Sequence, residues 1–276
     1  MNPTRFATSA LLAAVLLGAS PLQAQFNLGR LREAVDQAKD TASKAKQTAE
    51  SAAKVAKGVA GIGLEEEYVI GDSVAVEVVS RHGGVVRDEA IQRRVNLIGK
   101  ALAYYSSRPG IDWRFGVLDS ESVNAFSAPG GFVFITRGLF ELVGDNDDAL
   151  AAVLAHEVAH ITERHALKII ERGEFLSGAG DFAQRSSDLR RTDAELRQFD
   201  LSVEEIISTL FEKGFDPQTE YAADLKGRAL AVTTGYAPGA LRLVLTRLQQ
   251  RSGNPKAVFS THPPLAERIR RLPADG

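Results

Sequence analysis

Residues 145–173 read DNDDALAAVLAHEVAHITERHALKIIERG. Asp145, Asn146, Asp147 and Asp148 supply a cap and favourable negative charge for a helix N-terminus, and Gly173 supplies a stop. The pattern predicts one helix from about Asp147 to Arg172. Inside it stand His156-Glu157-Val158-Ala159-His160. At about 100° per residue the two histidines fall roughly 40° apart, one turn above the other, so both imidazoles can reach one ion at about 2.0–2.1 Å. Glu157 projects beside such an ion rather than onto it, which suits a carboxylate that polarises a water. The chain has five histidines and three of them fall within the ten residues 156–165, a concentration that an unrelated surface or core pair does not explain. His165 lies about 140° round the helix from His160 and is expected to face away from the ion, as a supporting or packing residue. Glu163 and Ala166 stand where a longer motif would carry Gly and a third ligand His, so that source of a ligand is excluded.

A catalytic zinc site uses a third protein ligand and keeps one position open. Downstream, Thr219-Glu220-Tyr221-Ala222-Ala223-Asp224 sets two acids four apart on a predicted helix, hence on one face. Glu220 is the candidate ligand, and Asp224 is the candidate partner for the free N–H of a ligand histidine. Taken alone, such a pair equally describes a solvated helix face.

The bulk numbers bound the remaining possibilities. The 276 residues are 44% hydrophobic and 25% charged, enough for one substantial domain with an appendage. A net charge of -2 and the absence of a basic stripe interleaved with aromatics give no reason to expect nucleic acid. Arg5, the apolar run Ala10–Leu17 and the small-residue site at Leu22-Gln23-Ala24 read as a secretory signal peptide over residues 1–24, too short to span a bilayer. The chain has no cysteine, which excludes disulfides, thiolate ligands, a cysteine nucleophile and a lipidated cysteine after the signal. A soluble or peripherally bound periplasmic protein is the expectation.

Residues 25–63 form an Ala/Lys-rich stretch ending in Gly58, Gly61 and Gly63. Its apolar positions, from Leu28 to Val59, alternate steps of three and four, which predicts a long helix with a weak alanine seam, a solvated tether or a docking helix. Residues 64–276 form the main domain. Residues 74–80 (VAVEVVS), 113–119 (WRFGVLD) and Phe132–Thr136 have strand-like composition, with a helix from Glu89 to Ala103 between the first two and the turn Pro129-Gly130-Gly131 before the third. From Asp147 onward the pattern is chiefly helical, and residues 173–200 read as a mobile insertion. Few strands with many helices predict an α+β fold with a small sheet.

HEVAHITERH, the downstream EYAAD and the order of the surrounding motifs resemble the zinc metalloprotease family that contains the CAAX prenyl proteases and the heat-shock protease HtpX, especially its soluble periplasmic members of the BepA type. The resemblance runs from about Val76 to Leu272. It includes Asn124-Ala125-Phe126, Pro129-Gly130-Gly131, Gly227, Thr234-Gly235-Tyr236-Ala237-Pro238, Thr261-His262-Pro263-Pro264 and Arg268. It implies a zincin-like (gluzincin) fold and one zinc ion per chain on His156, His160 and Glu220, with Asp224 behind a ligand and Glu157 as catalytic base. His262 is implied as a transition-state donor or as an extra ligand that holds the enzyme latent. By analogy, Asn124 and the strand residues Phe132, Val133 and Phe134 would bind substrate by strand addition. BepA-type proteins carry a C-terminal helical-repeat domain, whereas this sequence reaches Gly276 directly after the peptidase region, a departure that puts docking through such repeats in doubt.

The resulting expectation is a zinc-dependent endopeptidase of the cell envelope acting on unfolded or misassembled proteins. It would associate peripherally with the outer membrane or its assembly machinery. The rival expectation is a zinc-binding, chaperone-like or latent protein with little proteolysis of its own.

Overall fold

In a computed structural model, residues 62–171, 203–251 and 262–275 are described. The expectations for the signal peptide, the Ala/Lys-rich helix, Gly58 and Gly61, and the insertion at 173–200 lie outside the described residues.

The first element corrects the sequence reading. Residues 74–80 are not a strand but the second half of helix α1, Leu64–Arg81. Glu65, Glu66 and Glu67 place negative charge in its first turn, and Glu66 Oε2 accepts the Gly63 N–H at 3.1 Å. Ile70, Val74 and Val78 then fall on one buried helical stripe with Gly71 and Ala75. Burying that stripe outweighs the strand preference of the valines. Helix α2, Glu89–Tyr105, starts where Asp88 accepts the Ile91 N–H at 3.0 Å.

Strands β1 (Arg114–Leu118), β2 (Ala125–Ala128) and β3 (Phe132–Thr136) form one sheet in the order β1-β3-β2. β1 runs parallel to β3 and β2 antiparallel to it, joined through the tight turn Pro129–Gly131, where Gly130 (φ 77°) takes a left-handed conformation. Side chains alternate between two cores, as the pleat requires. Phe115, Val117, Ala125, Val133 and Ile135 join the core beneath α2 and the metal-motif helix, while Leu118, Phe126, Phe132 and Phe134 join the core beneath α1. β3 is thus central, with both edges paired. Its backbone is closed to strand addition, and the assignment of Phe132, Val133 and Phe134 to substrate pairing is corrected on that ground. The edges of the sheet belong to β1, whose outer side carries an isolated bridge from Val85 to Leu118, and to β2.

Helix α3, Arg137–Val143, follows β3 directly, and α4, Asp147–Thr162, carries the HEVAH motif. Asn146 caps α4 by accepting the Ala149 N–H at 2.8 Å. The expected single helix to Arg172 is broken: Arg164 sits at φ 56°, and the chain restarts as α5, His165–Glu171. Residues Ala149–Ile161 of α4 are all buried. Short helix α6, Val203–Ile207, passes into a π-helical turn, Ser208–Lys213.

Helix α7, Pro217–Thr234, has Asp216 as cap, proline in its first turn and Gly235 (φ 103°) as its left-handed stop. It crosses α4 at Gly227, where a Cβ would lie 2.7 Å from the His156 backbone nitrogen. That close approach presses the buried stripe Glu220, Ala223, Asp224, Gly227 and Ala231 against the metal-motif helix. Helices α8, Ala240–Arg251, and α9, Leu265–Arg271, complete the body. Among the described residues the architecture is mainly helical with one three-stranded sheet, the α+β class expected, and no helix is long and apolar enough to cross a membrane.

Candidate metal centre

The α4–α7 crossing brings His156, His160 and Glu220 together, all buried, with one donor atom from each within 4.8 Å of the others. His156 Nε2 lies 3.1 Å from His160 Nε2, and each of these nitrogens lies 3.6 Å from a different Glu220 oxygen. Donors bound tetrahedrally to one zinc at 2.0–2.1 Å sit about 3.3 Å apart, so all three spacings suit a shared ion. Glu220 is fully buried and, among the described residues, neither of its carboxylate oxygens has a hydrogen-bond partner. A carboxylate desolvated in this way is costly unless a cation completes it. Two imidazoles and one carboxylate are also the donor set that suits zinc.

Behind the ligands, Asp224 Oδ1 lies 3.0 Å from His156 Nδ1 on a bent approach, and Arg268 donates to both Asp224 oxygens at 2.6 and 2.9 Å. Asp224 and Arg268 are only 2% and 3% exposed, so this is a buried pair. Burial pushes the Asp224 carboxyl up, but the Arg268 guanidinium outweighs it and holds the group well below the usual carboxylate range. Burial also disfavours a charged His156, yet Asp224 and Glu220 overcome that and lift its imidazole to about 9 without metal. His160 goes the other way, driven well down by burial and then by the His156 charge.

His165 does not face away from the motif. The turn at Arg164 brings its Nδ1 to 3.1 Å from His160 Nδ1, and Phe215 stacks on the His160 ring at 4.4 Å. His262 Nε2 comes within 3.5 Å of Glu220 Oε2, and burial pushes its imidazole down to about 4.

Glu157 is 6% exposed and lines a narrow cleft with His160, Glu220, His262, Asn124 and the β2 residues Ala125 to Ser127. Burial raises its carboxyl, partly countered by the His156 charge and the Ser127 hydroxyl. The β2 edge facing this cleft is polar. Thr136 N–H donates to Asn124 C=O at 3.0 Å, so Asn124 and Phe126 turn their backbone groups toward β3, while Ala125 and Ser127 turn theirs outward. The outward Ala125 N–H is held at 3.0 Å by the Asn124 side-chain oxygen.

The structure therefore gathers His156, Glu157, His160, Glu220, Asp224, Asn124 and His262 at one place and leaves Phe132, Val133 and Phe134 away from the cleft lining. Sequence reasoning missed the β2 edge, Ser127 and Phe215. It named Arg268 without a partner. A period-two reading of AFSA between the NAF and PGG signals was the available clue for β2.

Residues 89–275 match the model of peptidase family M48. The putative beta-barrel assembly-enhancing protease of Vibrio cholerae is 26% identical over 214 residues, covering 75% of this chain and 43% of that protein. The beta-barrel assembly-enhancing protease of Escherichia coli is 25% identical over 189 residues, covering 65% of this chain and 37% of that protein. A mitochondrial metalloendopeptidase of Schizosaccharomyces pombe is 30% identical over 181 residues, covering 64% of this chain and 51% of that protein. The chain spans about half or less of the length of these curated relatives.

Proposed function

Because the chain belongs to peptidase family M48, we propose that it is a zinc-dependent endopeptidase of the bacterial cell envelope, cleaving peptide bonds in unfolded or misassembled envelope proteins. The observation that carries this reading is the fully buried Glu220 carboxylate, without a hydrogen-bond partner among the described residues, set against two imidazole nitrogens, with Glu157 beside them. One zinc ion on His156, His160 and Glu220 would supply a Lewis acid that polarises the scissile carbonyl and acidifies a water.

The remaining work falls to the chain's own side chains. Glu157, in the cleft and raised by burial, accepts the proton of the attacking water as the C–O bond forms. It returns that proton to the amine nitrogen as the C–N bond breaks. Asp224, fixed by Arg268, holds the His156 ring in its ligating orientation. An extended substrate pairs with the outward backbone groups of Ala125 and Ser127, its carbonyl replacing the Asn124 oxygen on the Ala125 N–H. Backbone pairing of this kind reads shape rather than sequence, which suits unfolded clients.

Envelope location rests on the N-terminal signal pattern. The names of the bacterial relatives, which speak of beta-barrel assembly, support association with machinery that assembles such barrels. A second reading, a latent or chaperone-like zinc protein, is favoured by one contact: His262 stands 3.5 Å from Glu220, near enough to close the open position.

The test compares wild type, Glu157→Gln and His262→Ala for zinc content and for casein cleavage. The proposal expects one zinc in each, chelator-sensitive cleavage in wild type, and a loss of about 10²–10⁴-fold in Glu157→Gln. Cleavage only in His262→Ala selects latency; zinc in all three with no cleavage selects the binding protein.

A further inference from the structure

A second cavity lies beside the two rings that pack on His160. Of about 270 Å³, it is bounded by α5, by the π-helical turn and by the start of α7. It shares only Gly214 and Phe215 with the metal cleft, and none of His156, Glu157, His160, Glu220 or His262 lines it. His165 and Phe215 do line it, and the same two rings approach His160, at 3.1 Å between Nδ1 atoms and 4.4 Å between stacked rings.

The polar groups of the wall decide what fits. Lys168 from α5 and Lys213 from the π-helical turn both border the cavity, both are exposed, and neither ammonium group has an ion pair or hydrogen bond among the described residues. Thr209, four residues before Lys213 and also on the wall, is 5% exposed. Its Oγ1 has no hydrogen-bond partner among the described residues. A buried hydroxyl without a partner is costly, and a bound ion is one arrangement that completes it. Turns of the π type are rare and frequent at functional sites. The carboxylate on the lining, Asp216, is engaged by the first turn of α7. Its Oδ1 accepts the Gln218 and Thr219 N–H groups at 2.9 and 3.1 Å, and its Oδ2 accepts the Thr219 hydroxyl at 2.5 Å. The positive end of that helix offsets its charge. Two cations thus border the cavity unmatched, while Ile169 and Phe215 add apolar surface.

We propose that this cavity binds a small organic anion, a phosphate ester or a carboxylate. Its charged head meets Lys168, Lys213 and the Thr209 hydroxyl, and its apolar body lies on Ile169 and Phe215. The site is separate from peptide cleavage, and its occupancy is read without turnover.

The experiment titrates the zinc-loaded full chain by calorimetry with phenyl phosphate, 3-phenylpropionate and phenethylamine. At least one of the two anions should bind, and the tighter one tells phosphate from carboxylate. Phenethylamine, a similar body with a positive charge, should not bind. Lys168→Ala and Lys213→Ala should each weaken anion binding by about tenfold or more, the worth of a charge-assisted hydrogen bond. Thr209→Val, which keeps the shape of the side chain, should weaken it by about two- to tenfold. Lys226→Ala removes a lysine outside the cavity that pairs with Glu163 at 3.4 Å, and should leave binding unchanged. Thermal unfolding of the two exposed-lysine variants should match wild type, which separates lost binding from lost fold. An anion held by the zinc itself would survive both lysine substitutions. Wild-type affinity in any of the three cavity variants, an equal loss in Lys226→Ala, phenethylamine binding as tightly as the anions, or no binding by either anion overturns the site.

Discussion

Replacing Asp224 by leucine removes the counter-charge of a guanidinium that is 3% exposed and donates two bonds to that one carboxylate. A buried charge left alone in this way costs about 3–5 kcal/mol, and Arg268→Met, which leaves the carboxylate only the His156 imidazole at 3.0 Å, should also destabilise, by less. The double variant removes both charges of the pair and leaves neither stranded, so it should return to within about 1–2 kcal/mol of wild type. Zinc affinity should behave differently. Asp224 stands 3.0 Å from His156 Nδ1, so Asp224→Leu and the double variant both lose the group that orients the ring, and each should bind zinc about 10–100-fold more weakly. Urea denaturation of the zinc-free full chains measures the first quantity, and competition with a chromophoric chelator measures the second. A double variant as unstable as either single one would refute the balanced-pair argument. Wild-type zinc affinity in the double variant would refute the orienting role of Asp224.

Three further outcomes are expected. Gly227→Ala places a methyl group 2.7 Å from the His156 backbone nitrogen, which should cost about 1–3 kcal/mol in denaturant unfolding and weaken zinc binding as α4 and α7 separate. His156, lifted to about 9 without metal, is charged at neutral pH and must lose its proton to ligate, while His160, pushed well down, has none to lose. Calorimetry in buffers of different ionisation enthalpy should therefore detect about one proton released per zinc, with affinity rising with pH and levelling off above about 9. Glu67→Ala strands the Arg108 guanidinium and frees the Gly130 amide, and should cost about 3 kcal/mol by thermal denaturation, with Glu67→Gln intermediate.

The metal-motif helix was legible because capping residues, apolar periodicity and histidine spacing all agree on it. Glu220 and Asp224 were legible as a pair on one face, but their placement depends on Gly227, a contact between distant segments that local patterning does not encode. VAVEVVS was misread for a specific reason. Its valines favour a strand locally, and only the run back through Ile70 to the acidic turn at Glu65–Glu67 reveals the helical stripe. The break at Arg164 had no sequence signal, because arginine is not a residue that marks left-handed turns, and the direction of His165 was lost with it. β2 was hidden by its length of four residues, which left its neighbour β3 as the apparent open edge.

Helix α1 stands outside the stretch that matches the family, which begins at residue 89. Its Glu67 nonetheless ties the Pro129–Gly131 turn to Arg108, and Arg108 in turn donates to Ile161 C=O at 3.1 Å, next to His160. A fragment trimmed to the family boundary would lose that tie and uncover Phe126, Phe132 and Phe134, which share a core with Ile70, Val74 and Val78 of α1. Such a truncate should be recovered as aggregate, and any inactivity measured on it would describe the cut rather than the enzyme. The working unit for expression is the chain that keeps α1, whatever homology alone suggests about where the domain starts.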